Sequence, residues 1–292
     1  MQPFSYLMTT SGMIWMIACL PIGFLLVALG YLVFNKAPAK WFCDYNEQPG
    51  AELLAQRVKY KGSGIVLSLI VAVCLMLCRL QFNKGYDIYF GIFALFILMA
   101  FLVVISDYKY TIIPDQFTAF LAVMALAVSI YDLVRGYNIL HSVWWSPLLG
   151  AVIGAAVMLF IDFLGMVIYK KTGMGFGDVK LFAAVGILTG FPGTIYTIIL
   201  SVLTAAVCFI IILAVSAVMS KKSREKDEKE QNMGEAAEVG NENVDSSENG
   251  NEDDSKGSYL AFGPYIMIAS VIYIVFFDYI YDLVEMYFDL LS

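Results

Sequence analysis

The sequence predicts an all-α polytopic membrane protein of about eight transmembrane helices, with both termini outside and a functional site at the cytoplasmic face. Three observations carry that fold class. Of 292 residues, 60% are hydrophobic and only 15% are charged, and mean hydropathy is +0.75; a soluble domain is about half apolar and a quarter charged. The apolar residues gather into eight runs, most of them near the roughly 20 residues that cross a bilayer as a helix. Lys and Arg fall almost entirely on one side of those runs. A soluble enzyme, a disordered chain and a disulfide-framed domain are excluded together, and no basic patch points to nucleic acid.

Taken in order, the runs are 13–34, 63–82, 88–106, 116–134, 146–169, 179–193, 195–219 and 260–277. The first lacks a charged start and a small-residue cleavage site, so residues 1–34 read as an uncleaved span and not a signal peptide. Residues 35–62 form a short loop, and 63–219 hold the core spans. Residues 220–258 contain 12 acids and 6 bases for a charge of −6, while the remainder sums to −1. With almost no large apolar side chains, that segment reads as an acidic disordered loop. Residues 259–292 hold the last span and a tail in which Asp278, Asp282, Glu285 and Asp289 share one helical face, as an amphipathic helix at the outer interface requires. A tail that simply continues the span is the alternative. No internal repeat is visible.

With the N-terminus outside, 15 of the 18 bases lie in or beside the loops 35–62, 107–115, 170–178 and 220–258, and only Arg79, Lys84 and Arg135 lie opposite. That split puts these loops in the cytoplasm of a multi-pass cell-membrane protein. The sixth run is short, and losing it as a span would reverse everything after it.

Cys19, Cys43, Cys74, Cys78 and Cys208 make no pairable framework, and four of them lie in apolar runs as small hydrophobes. The single histidine, His141, has no neighbouring thiolates and reads as a polar loop residue, so no metal site is expected.

Four carboxylates stand out, since ionisable groups at membrane depth are costly: Asp107, Asp115, Asp162 and Asp178. Asp107 ends the third run in SDYKYTIIPD, and Asp178 opens the sixth in GMGFGDVKLFAAVGILTG, so both belong to the cytoplasmic side. A helix over 179–193 rises only about 22 Å, against a hydrocarbon layer of about 30 Å. The Asp178 end is therefore set below the inner surface, where glycine-rich backbone is tolerated only if buried in protein or lining a wet cavity. Two aspartates converging there fit acid/base hydrolysis, one activating water and the other, protonated, polarising the scissile carbonyl. Such a pair shares one proton and calls for no cofactor or metal. Capping of the sixth helix is the structural alternative for Asp178.

At these residues the chain closely resembles the type IV prepilin peptidases, GxGD-type intramembrane aspartyl proteases. The matching blocks are Asp107-Tyr108-Lys109-Tyr110-Thr111-Ile112-Ile113-Pro114-Asp115, then Gly173-Met174-Gly175-Phe176-Gly177-Asp178-Val179-Lys180-Leu181, and Ala261-Phe262-Gly263-Pro264-Tyr265. The resemblance covers about 86–195 plus the last block, which makes 63–219 a transmembrane peptidase core. It implies cleavage of the leader from type IV prepilins or pseudopilins after a glycine, with Asp107 and Asp178 catalytic. Asp115, Pro114, Gly175, Gly177 and Lys180 would support the site or orient substrate, Asp115 by capping the fourth helix after Pro114. Many bacterial members also N-methylate the product and carry paired CxxC motifs in a large first loop. Loop 35–62 has only Cys43, so cleavage without methylation is expected here.

Asp162 reads as a buried aspartate bonded to a neighbouring helix, and Gly150 and Gly154 as a GxxxG packing motif. Two other function classes remain open. A transporter or channel could use the aspartates for protons or cations, although the inverted repeat and paired broken spans usual there are not visible. A presenilin-like GxGD protease would add a PAL block, which the sequence lacks.

Overall fold

The computed structural model describes residues 10–43, 48–49, 58, 62–82, 87–136, 143–169, 175–234 and 262–291. His141, Lys170, Lys171, Gly173, Ala261 and residues 235–258 lie outside the described residues. Every regular element among the described residues is helical: α1 (Thr10–Lys36), a short 3-10 turn (Ala39–Phe42), α2 (Gly62–Gln81), α3 (Asp87–Tyr110), α4 (Asp115–Arg135), α5 (Ser146–Tyr169), α6 (Phe176–Gly234) and α7 (Gly263–Leu291). All seven α-helices are long and apolar enough to cross a membrane by length and composition. That is the architecture of a multi-pass membrane protein, in which a helix satisfies its own backbone where no water can.

The chain divides into two units, residues 1–202 with 260–292, and residues 203–259. In the first, α3 is the central helix and packs against α1, α2, α4 and α7. Its sequence is apolar all round, as burial on every side requires, and 61% of its apolar window is buried against 11% for α5. Helix α5 is attached differently. A Cβ on Gly154 would lie 2.8 Å from the Phe182 carbonyl oxygen, and one on Gly150 would strike the Gly186 carbonyl. The α5 and α6 backbones therefore touch directly, the packing role expected of this GxxxG.

The sixth and seventh apolar runs both lie in α6. The helix loses helical geometry at Gly190 (φ 62°, ψ −176°) and Phe191; only glycine takes the first of these without strain. Ser146 stands in for the broken ladder: its Oγ donates to the Phe191 carbonyl and accepts from the Phe191 N–H, each at 2.8 Å.

Two expectations need correction. Asp162 is half-exposed and not buried, because the α5 surface outside its glycine stripe is turned away from the bundle. In the second unit, α6 runs on to Gly234, so residues 220–234 are helical where composition led us to expect a disordered loop. KKSREKDEKEQ is rich in strong helix formers, and the low apolar content that argues against a packed core does not argue against a helix.

Candidate active site

Three chain segments distant in sequence meet around Asp107. The first is the end of α3 and the turn that follows. Asp107 lies in the last turn of α3 and is 4% exposed. Thr111 closes the helix by donating its N–H to the Asp107 carbonyl at 2.8 Å, with φ 52°. A β-branched residue in the left-handed region is strained. Ser106 Oγ donates to the Ile112 carbonyl at 2.6 Å, which tightens the same turn and sends Ile113 inward, where it is buried. Pro114 then takes the cap position of α4, in extended geometry that its ring favours.

The second segment is the start of α6. Asp178 donates its N–H to the Gly175 carbonyl at 3.0 Å, and the residue is 6% exposed. Gly177 leaves room for Ile113: a Cβ there would come within 3.3 Å of Ile113 Cβ.

The third segment is the start of α7. A Cβ on Gly263 would lie 2.6 Å from Asp107 Oδ2 and 3.0 Å from Ile113 Cδ1, so the glycine backbone forms a wall directly against the carboxylate. Ile113 thus sits between Gly177 and Gly263 and joins all three segments. Asp107 Oδ2 and Asp178 Oδ1 are buried without a hydrogen-bond partner among the described residues. Leaving a buried carboxylate oxygen unpaired costs stability, and such an expense is commonly met at sites of chemistry.

A half-exposed ion pair flanks this centre. Lys180 Nζ reaches both Asp115 oxygens, at 2.8 and 2.9 Å, and lies 5.2 Å from the centroid of the Phe176 ring. Pro114, not Asp115, holds the cap position of α4, and the Asp115 carboxylate instead ties α4 to α6. Gly175 serves the first turn of α6 through its carbonyl. Gly263 and Ile113 were not singled out as site residues from sequence, although both lie in blocks that carried the resemblance; the collision of a Cβ with Asp107 is visible only in three dimensions. No cluster of three or more His, Cys, Asp or Glu residues suited to a metal occurs among the described residues.

Residues 94–210 match the type IV leader peptidase family. A protein of Xanthomonas campestris pv. campestris, named prepilin leader peptidase/N-methyltransferase, is 29% identical over 162 residues, 53% of either chain. The chain therefore spans about half the length of that relative. No solved structure matches it. The matched segment contains Asp107, Ile113, Asp115, Gly177, Asp178 and Lys180, whereas Gly263 lies beyond it.

Proposed function

We propose, from the match of residues 94–210 to the type IV leader peptidase family, that the chain is an intramembrane aspartyl endopeptidase acting through Asp107 and Asp178. The single observation that carries the reading is two buried carboxylates on different helices whose segments meet through Ile113, each with an oxygen that no described residue bonds. The pair works with one proton between its members. The ionised carboxylate takes a proton from water as the oxygen attacks the scissile carbonyl, and the protonated one donates to the developing oxyanion. Collapse of the tetrahedral intermediate passes a proton to the leaving amine. Ile113 and the Gly263 backbone close the space beside Asp107 and limit bulk there.

The substrates are type IV prepilin or pseudopilin precursors, cut after the leader's glycine at the cytoplasmic face of the cell membrane. An apolar stretch over residues 176–217 would be about 63 Å long as one helix, twice the bilayer core. A break at Gly190 and Phe191 supports reading it as two passages, and so eight spans, with the placement of Lys and Arg favouring both termini outside. Cys43 alone in the first loop favours cleavage without methyl transfer.

The test incubates purified chain with a pilin precursor and S-adenosylmethionine, and weighs the products by mass spectrometry. Leader release with an unmodified new N-terminus is expected, abolished by Asp107→Asn or Asp178→Asn while insertion and abundance persist. Cleavage by either variant at more than a trace of the parent rate refutes the dyad. A product heavier by one methyl group, absent when the chain is omitted, refutes the second half.

A further inference from the structure

The first loop holds a feature the proposed chemistry does not use. Helix α1 ends at Lys36, and Pro38 starts the 3-10 turn Ala39–Phe42, closed by the Trp41 N–H donating to the Pro38 carbonyl at 3.0 Å. The side-chain amide of Asn35 makes two bonds to the backbone of Val58: Nδ2 donates to its carbonyl at 2.9 Å, and Oδ1 accepts from its N–H at 3.1 Å. This clip fastens the far end of the loop to the end of α1, next to the turn.

From there Phe42 points inward and is only 3% exposed. Its ring lies 4.9 Å from Phe34, 5.2 Å from Tyr110 and 6.3 Å from Phe117, centroid to centroid. Trp41 meets Phe117 edge-on at 6.1 Å, and Phe34 stacks on Tyr110 at 6.1 Å with the rings 5° from parallel. These are favourable separations for aromatic pairs. Tyr110 and Phe117 stand on either side of the Thr111–Asp115 turn, so the loop grips both ends of the turn that seats Ile113 and closes α3 over Asp107. Strained backbone such as Thr111 persists only where its surroundings over-determine it, and the aromatic cluster supplies such surroundings.

We propose that Trp41 and Phe42 are positioning residues: an aromatic latch, carried by the first loop, that holds the Thr111–Asp115 turn and through it Asp107 in register for the reaction. This rests on the peptidase reading above. A ring that merely filled apolar space would be replaceable by any side chain of similar volume, and the latch predicts that the ring itself matters.

The test uses the full chain in membranes with a prepilin precursor, comparing Phe42→Leu, Phe42→Tyr, Trp41→Ala and Trp41→Phe. Phe42→Leu and Trp41→Ala should lower kcat about tenfold or more at normal abundance, with KM within about twofold, because sub-ångström misplacement of a reacting group costs rate and not binding. Phe42→Tyr and Trp41→Phe, which keep a ring, should stay within about threefold of the parent. A kcat for Phe42→Leu within about twofold of the parent, a loss confined to KM, a loss that only follows abundance, or equal losses in the ring-keeping variants would each overturn the latch.

If the parent chain leaves every precursor uncut, the peptidase reading fails, and a second measurement decides the latch alone. Asp107→Cys is placed in a chain whose five native cysteines are replaced by alanine, and its labelling by a charged maleimide is timed. Adding Phe42→Leu should speed labelling about fivefold through local opening of the turn, and adding Phe42→Tyr should not. Equal rates in all three chains would overturn the proposal.

Discussion

Gly263→Ala is the sharpest probe of the site, because one methyl group meets three atoms there. The added Cβ would stand 2.6 Å from Asp107 Oδ2, 3.0 Å from Ile113 Cδ1 and 3.2 Å from Asp107 Cγ. Non-bonded heavy atoms settle near 3.5–4.0 Å, so the carboxylate and the start of α7 must part by roughly half an ångström or more. Overpacking of this kind costs about 1–3 kcal/mol. A 1 Å misplacement can cost about a hundredfold in rate, so kcat should fall about 10- to 100-fold, with a modest loss of thermal stability. Gly177→Ala, whose Cβ would meet Ile113 Cβ at 3.3 Å, should be milder. Gly62→Ala and Gly91→Ala, with nothing within 4 Å, should cleave like the parent and, as helix positions, gain up to about 1 kcal/mol. Leader cleavage kinetics and thermal melts in detergent on the four variants read the gradient directly. If Gly263→Ala kept the parent kcat, or if the four variants behaved alike, the wall against Asp107 would have no part in the reaction. Adding Ile113→Val to Gly263→Ala relieves only the Cδ1 contact, so it should recover part of the stability and little of the rate.

Lys180→Met and Asp115→Asn should each cost about 1 kcal/mol or less, since both side chains are over a third exposed; the double variant should be no worse than the more damaging single one, and additive losses in a double-mutant cycle would show that the pair does not act as a unit. Gly186→Ala should lower the melting temperature clearly, because its Cβ would fall on the Gly150 backbone, 2.6 Å from the carbonyl carbon, where nothing can rotate away; an unchanged melt would refute the direct α5–α6 contact. Ser146→Ala removes both bonds to Phe191 and should cost about 1–3 kcal/mol, measured in the same melts, with Ser146→Thr closer to the parent.

The legible part of this molecule was whatever announces itself one run at a time. Eight apolar runs follow from the sequence, two of which the structure joins in the single broken helix α6, and the positions of Asp107, Asp178 and Asp115 stand out as charge placed against them. The GxxxG on α5 was readable because small residues four apart have one common use. What depended on distance in space was not readable. The partner of Asp115 is 65 residues away, and composition does not specify which base a surface carboxylate meets. Loop 35–62 reads as a remnant defined by what it lacks, while its Trp41 and Phe42 become meaningful only when Tyr110 and Phe117 are seen beside them. Asp162 misled for a related reason: a charge in an apolar run implies a partner or a cavity, but not which side of the helix faces the bundle.

The position of Gly263 also imposes an order in time. Asp107 and Asp178 leave the ribosome first, and the residue that completes their enclosure follows 85 residues after Asp178. At translation rates of roughly 5–20 residues per second, that delay is about 4–17 s. Throughout it, a nascent chain holding both carboxylates lacks the backbone that braces one of them, so any chain released early inserts without a finished cleft. The cleft thus becomes whole only when the start of α7 arrives, and premature termination between residues 178 and 263 yields a protein with both aspartates and no settled place for Asp107.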